Sequence, residues 1–238
     1  KATSGYYNTL IGRDAGTDLT TGNQNVGVGY HAAGNVTTGS GNTCLGTIAG
    51  MNITTASHNI CIGFEAGEEI TTGAGNVVIG KTAASSGGNS LTTGSNNIII
   101  GRDALQSAYN IDNQITLGNS SISSLRCQVQ TISSLSDARD KTDITPLQAG
   151  LDFVERLDPV SFTWNMRDGG KVGIEETGFI AQDLQQVQQD TGVEIPGLVS
   201  DDNPERLEAA YGKLVPVLVQ AIKDLSAKVN ELEAQIKS

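Results

Sequence analysis

The most regular feature of the chain is a short apolar alternation that returns every 17 residues. Glycine stands at Gly12, Gly29, Gly46, Gly63 and Gly80, then at Gly101 after a four-residue insertion, then at Gly118. The residue before each is aliphatic: Ile11, Val28, Leu45, Ile62, Ile79, Ile100 and Leu117. Two positions earlier come Thr9, Val26, Thr43, Ile60, Val77, Ile98 and Ile115, preceded by Asn8, Asn25, Asn42, Asn59, Asn76, Asn97 and finally Gln114. Side chains two residues apart share one face of a strand, so the pattern predicts short strands with these two columns turned inward. Turn formers lie between them, at Thr20-Thr21-Gly22, Thr37-Thr38-Gly39, Thr71-Thr72-Gly73 and Thr92-Thr93-Gly94.

A 17-residue unit cannot bury a face alone, and such units become stable by stacking on one another or on partner chains. Asparagines in register can ladder their amides, and proline, which would delete a ladder donor, is absent from residues 1–135. A flexible Gly/Thr/Asn linker is the bland alternative, and seven aliphatic residues in one column argue against it. Cys44 and Cys61 share a column on the opposite strand face and read as filler side chains, not a disulfide or metal pair. His31 and His58 occupy different places in the repeat and read as solvated loop residues.

Beyond Gly118 the pattern changes. Ile122, Leu125, Cys127, Val129 and Ile132 alternate loosely, as in a strand leading out of the stack. Leu147, Leu151, Val154 and Leu157 have helical spacing, ended by Asp158-Pro159. Phe162 and Trp164 alternate on a strand and read as core; Ile180 to Val187 opens a second helix; residues 190–204, with two glycines and two prolines, read as a loop. From Pro204 a helix is expected, with Tyr211, Val215, Leu218, Ile222, Leu225, Val229, Leu232 and Ile236 at alternating spacings of 4 and 3. That heptad seam favours a coiled coil over a helix packed only on its own domain. Its β-branched residues leave the number of strands open, and Pro216 should kink the helix or delay its start. The expected fold is mainly β plus α+β. A stacked β-repeat domain covers 1–118, a connecting strand segment 119–135, and a small α+β domain with the terminal helix 136–238.

Composition sharpens the break. Of 29 glycines 21 fall in residues 1–135, whereas all five prolines and the single Trp fall in 136–238. The net charge of −11 divides as −2 and −9 between the same sections. Acidity disfavours nucleic acid and anionic membrane surfaces as partners. No window approaches 18 apolar residues and no basic-apolar leader opens the chain, so neither membrane insertion nor a secretion signal is expected; Lys1 stands in mid-pattern, as in a fragment. Cys44, Cys61 and Cys127 make no CxxC motif, and neither a metal site nor a cofactor is expected.

The repeat section resembles the shaft and head repeats of phage tail fibres and trimeric surface adhesins. That resemblance implies a homotrimer and a cell-surface receptor on a host or prey cell, glycans included. Ser136-Asp137-Ala138-Arg139-Asp140-Lys141-Thr142-Asp143-Ile144, following a β-rich fibre, resembles the self-cleaving intramolecular chaperone at the C-terminus of phage endosialidases, tail fibres and neck appendages, a domain with a relative in myelin regulatory factor. The blocks Leu157–Trp164, Gly178–Leu184 and Tyr211–Ile222 extend the likeness in order. Asp183 stands where relatives often carry Glu, and the section has no histidine, so no imidazole can serve its chemistry.

Read from the residues alone, Ser136 and Lys141 carry little signal: five positions apart, they lie about 140° apart around an ideal helix and meet only if the segment bends. The resemblance implies that Ser136 attacks the carbonyl of Leu135 with Lys141 as general base, cutting the chain between Leu135 and Ser136. Asp137 and Arg139 are expected to shape the bend or pair across chains. The expected whole is a trimeric tail-fibre tip, made in the host cytoplasm and carried on the virion tail, whose chaperone is released by autoproteolysis. Rival readings are a fibre cap that never cleaves and a β-solenoid enzyme acting on carbohydrate; the second is disfavoured because no carboxylate pair recurs in the repeats. A membrane-tethered transcription factor is disfavoured by the acidity of both sections and by the lack of an apolar span.

Overall fold

A computed structural model of the chain describes residues 4–85, 89–128 and 132–237. The chain divides into two compact units, residues 1–123 with 167–170, and residues 124–166 with 171–238.

The first unit is a β-solenoid. Each repeat contributes one three-residue strand: β1 (Thr9–Ile11), β2 (Val26–Val28), β3 (Thr43–Leu45), β4 (Ile60–Ile62), β5 (Val77–Ile79), β6 (Ile98–Ile100) and β7 (Ile115–Leu117). They form one parallel sheet in chain order. Register follows the repeat, Val26 against Thr43 and Thr43 against Ile60, and the insertion before β6 leaves it intact, with Val77 against Ile98. The turns stack as the strands do: the amide of Thr37 donates to Thr54 O (2.9 Å) and that of Gly50 to Ala66 O (3.0 Å).

The strand faces are reversed from the sequence expectation. The middle residue of each strand points inward, and Cys44, Cys61, Val78 and Ile99 are fully buried. The two aliphatic columns flanking it are half-buried or exposed. Spacing of two fits either face, and the interior wall decides between them. Opposite the sheet, Gly50 and Gly67 run in the left-handed region (φ +56° and +60°), where an added Cβ would sit 2.6 Å from Cys44 Sγ and 2.7 Å from Cys61 Sγ. The inner column must therefore vary in size to fit, and its mixed residues (Leu10, Gly27, Cys44, Cys61) hide it from a hydrophobicity pattern. Cys44 and Cys61 are free thiols that fill this column; their mutual hydrogen bond and complete burial push the Cys61 thiol well up. The rest of the core comes from two further columns of the same period, Leu19, Val36, Ile53, Ile70 and Leu91, and Ala32, Ala49, Ala66, Ala83 and Ala104. Each fully buried Ile or Leu contributes about 1.5–3 kcal/mol.

The asparagines form a continuous ladder. Asn59 Nδ2 donates to Asn42 Oδ1 (3.3 Å) and to Gly73 O (2.9 Å), while Asn59 Oδ1 accepts from the backbone N (3.0 Å) and Nδ2 (3.1 Å) of Asn76. The motif repeats from Asn8 to Asn97, so amides that are 0–1% exposed from Asn25 to Asn97 are satisfied by their neighbours. At Gln114 the backbone still donates to Asn97 Oδ1 (2.9 Å), but the side chain turns aside, Nε2 donating to Ser107 Oγ (2.6 Å) and Oε1 accepting from Ser107 N (2.7 Å). The glycine after each strand is required by close approach. Gly46 has φ +136°, and a Cβ there would lie 2.4 Å from the carbonyl O of Gly63 on the next turn.

The second unit is a small α+β domain. Its helices are α1 (Leu151–Glu155), α2 (Ala181–Thr191) and α3 (Leu214–Lys237); its strands pair as two antiparallel hairpins, β8 (Val160–Asn165) with β9 (Val172–Gly178), and β10 (Val199–Ser200) with β11 (Glu208–Ala209). Phe153, Leu184, Leu198, Leu214 and Val217 centre its core. Several elements differ from expectation. Leu147 precedes α1 and is exposed; Phe153, off the expected stripe, carries the burial. The described part of 119–135 has no strand, and Val129 lies outside the described residues. Phe162 and Trp164 are half-buried on β8 and outside the core cluster, because a two-stranded hairpin covers only one side of itself. They pack edge to face at 5.2 Å, and Trp164 Nε1 donates to Glu176 Oε2 (2.6 Å). The expected loop at 190–204 contains β10, and the tail becomes α-helical only at Leu214. Pro216 falls in the first turn of α3, where a missing N–H costs no bond, so it sets the start without a kink.

Candidate functional site

Residues 136–141 bend through a single 3₁₀ turn, Ala138–Asp140. Asp137 caps it: its Oδ1 accepts from the amide of Arg139 (2.9 Å), and the Arg139 guanidinium returns two bonds to the same carboxylate, Nε to Oδ1 (3.0 Å) and Nη2 to Oδ2 (2.6 Å). The bidentate clamp holds Asp137 below the usual carboxylate range and raises Arg139. The turn closes with the amides of Asp140 on Asp137 O and of Lys141 on Ala138 O, both 3.2 Å.

This bend overcomes the unfavourable spacing. Lys141 Nζ donates to Ser136 Oγ (2.6 Å) and to the carbonyl O of Ser136 (3.2 Å). Ser136, Lys141 and Leu135 are exposed, Leu135 at 83%. The arrangement is a hydroxyl and an amine in contact beside an accessible peptide bond, the parts of a base-assisted nucleophile. Lysine acts as a base where burial or nearby cations favour its neutral form.

Two contacts that fix the unit carrying this segment were not visible from pattern. Asp224 Oδ2, on α3, accepts the Leu151 amide at the start of α1 (3.0 Å), and Gln220 Nε2 donates to Asp224 Oδ1 (2.8 Å); chiefly through the Leu151 bond, the Asp224 carboxyl is held low. Tyr211 belongs to the expected seam by spacing, yet its hydroxyl donates to Phe179 O (2.9 Å) and accepts from Phe179 N (3.0 Å), which ties it to its own domain. The other seam residues are exposed, whereas Leu214, Val217 and Ala221 on a different face of α3 are buried. The helix thus has two apolar faces, one docked and one free. Among the described residues no three His, Cys, Asp or Glu side chains are grouped to hold a metal ion, and no helix is long and apolar enough to cross a membrane.

A clamped turn that presents serine to lysine opens the segment that matches a known family: residues 136–193 are similar to the family described as chaperone of endosialidase, and Ser136 is the first residue matched. Curated relatives are the long tail fiber protein Gp37 of Enterobacteria phage K3, 32% identical over 105 residues (42% of this chain and 8% of the relative), and Gp37 of Enterobacteria phage T2, 32% identical over 105 residues (42% and 7%). The chain therefore spans under a tenth of the length of either. No solved structure matches.

Proposed function

We propose that this chain is the tip section of a virion tail fibre, a homotrimer that meets a cell-surface receptor, glycans included, and whose residues 136–238 direct trimer folding and then cleave themselves off. The observation that carries the reading is the 2.6 Å contact between Ser136 Oγ and Lys141 Nζ at the first residue of the family match. Lys141 takes the hydroxyl proton while Oγ attacks the Leu135 carbonyl carbon. The Leu135–Ser136 amide becomes an ester and the Ser136 nitrogen leaves as an amine carrying the proton. Water then hydrolyses the ester, giving a Leu135 carboxylate and restoring the Ser136 hydroxyl.

The free face of α3 supports assembly of several copies. With Tyr211 engaged elsewhere, Val215, Ile222, Val229 and Ile236 alternate with Leu218, Leu225 and Leu232. In isolated parallel coiled coils that order favours two strands; the count of three follows from the likeness to tail-fibre and adhesin repeats. The need for a chaperone is physical: strand association between chains is slow, and exposed apolar edges aggregate meanwhile. The test is the mass of the denatured chain after folding, beside the mass of the native particle. Wild type should yield a fragment ending at Leu135 and Ser136→Ala should not, with equal particle mass before cleavage. An intact wild-type chain makes the domain a non-cleaving cap and refutes the autoproteolytic part.

A further inference from the structure

We propose that the outward face of the β1–β7 sheet is where the repeat sections of two copies of this chain meet. Parallel sheets carry cover on both faces. Here the repeat unit's own turns cover the inner face, whereas the outward strand residues are half-buried or exposed. Of its fourteen outward positions none is charged and twelve are aliphatic. Ile11, Ile115 and Leu117 are 59%, 67% and 53% exposed, with Ile60 and Ile100 close to two-fifths. A charge-free aliphatic strip has the composition of an obligate interface and not of a transient contact, whose surface mixes polar groups throughout.

The strip also indicates its occupant. Aliphatic residues recur at every turn, and the insertion before β6 leaves their register unchanged. A surface with one fixed period along its whole length is matched turn for turn by a surface of the same period, which is another copy of this sheet. The inference rests on the multi-copy reading above and extends it: α3 gathers the chains, and the sheet face keeps the repeat sections together once cleavage has removed α3.

The experiment uses the full chain with Cys127→Ser, so that Cys44 and Cys61, both buried, are the only native thiols left. Ile60→Cys places a thiol on the strip, Ile100→Cys repeats the test beyond the insertion, and Lys81→Cys marks an exposed corner outside it. Maleimide labelling of the native protein is read peptide by peptide, and particle mass is measured on the same sample. The expected result is a multi-chain particle in which both strip thiols label at least tenfold more slowly than the one at position 81. A multi-chain particle with equal labelling rates overturns the inference and leaves the assembly reading standing. A single-chain mass overturns both.

Discussion

Replacing Asn59 by leucine keeps the side-chain bulk and removes only the amide. Four partner atoms are affected, the mildest case being Asn42 Oδ1, which loses Asn59 Nδ2 (3.3 Å) but keeps the Asn59 backbone N–H (3.0 Å). The backbone N–H of Asn76 loses its acceptor (3.0 Å), Gly73 O loses its donor (2.9 Å), and Asn76 Nδ2 keeps only Gly94 O (2.9 Å). Asn59 and Asn76 are both fully buried, so water cannot replace the lost bonds without opening the stack. Each buried orphan costs about 1–3 kcal/mol, and two of them give about 2–6 kcal/mol. At 1.4 kcal/mol per decade that raises the population of the opened state by about 30-fold to 10⁴-fold. Cys61 is the reporter, because it is 0% exposed within the same turns and reacts only when they part. Its labelling under fast opening and closing, followed by mass spectrometry of its peptide, should accelerate within that range in Asn59→Leu. Asn35→Leu is the control: it removes a comparable amide bond, Nδ2 to Asn52 Oδ1 (3.0 Å), at a half-buried site where water can substitute. A change below about threefold in Asn59→Leu, or equal changes in the two variants, would refute the view that ladder burial rather than bond count holds the stack together.

Gly46→Ala forces a Cβ against Gly63 O in a region of φ that L-residues avoid, so Cys61 should label faster there too, whereas Ala49→Gly should act more weakly. Lys141→Ala should abolish the fragment ending at Leu135, and Lys141→Arg should not restore it, because guanidinium keeps its proton; fragment release from either variant removes lysine from the mechanism. Asp224 has a folded-state carboxyl held below its unfolded value, so it adds stability above the ordinary carboxylate range that is lost as pH falls through its lowered folded value. Acid unfolding followed by Trp164 fluorescence should therefore show a shallower pH dependence in Asp224→Asn. Omitting residues 136–238 at the gene level should leave residues 1–135 insoluble, while the same section released by cleavage stays soluble; equal solubility refutes the chaperone role.

The repeat was legible because several of its constraints act at one residue per turn. The glycine after each strand and the asparagine before it are fixed by contacts with the same position on the next turn, so each writes a visible period. Which strand face points inward was not legible. The inner column must fit against glycine backbone, and its mixture of Leu10, Gly27, Cys44 and Cys61 looks less like a core than the aliphatic columns beside it. The free seam of α3 could be read from its spacings of 3 and 4. Its limit could not, because Tyr211 keeps the period while its hydroxyl is bound to Phe179. The Ser136–Lys141 contact depends on a turn clamped by Asp137 and Arg139, and without the family likeness nothing in that spacing predicts it. Asp224 and Leu151 are 73 positions apart and left no local trace.

A stack in which every turn offers its successor the same backbone edge and the same amide is also a template, and templates of parallel strands propagate into fibrils unless something stops them. Gln114 stands in the asparagine column with one methylene more, and that length lets its amide fold back onto Ser107. The last strand therefore offers a newcomer no amide to copy. A Gln114→Asn change would restore the template, and end-to-end polymerisation of the repeat section, followed by thioflavin fluorescence, is the consequence to look for.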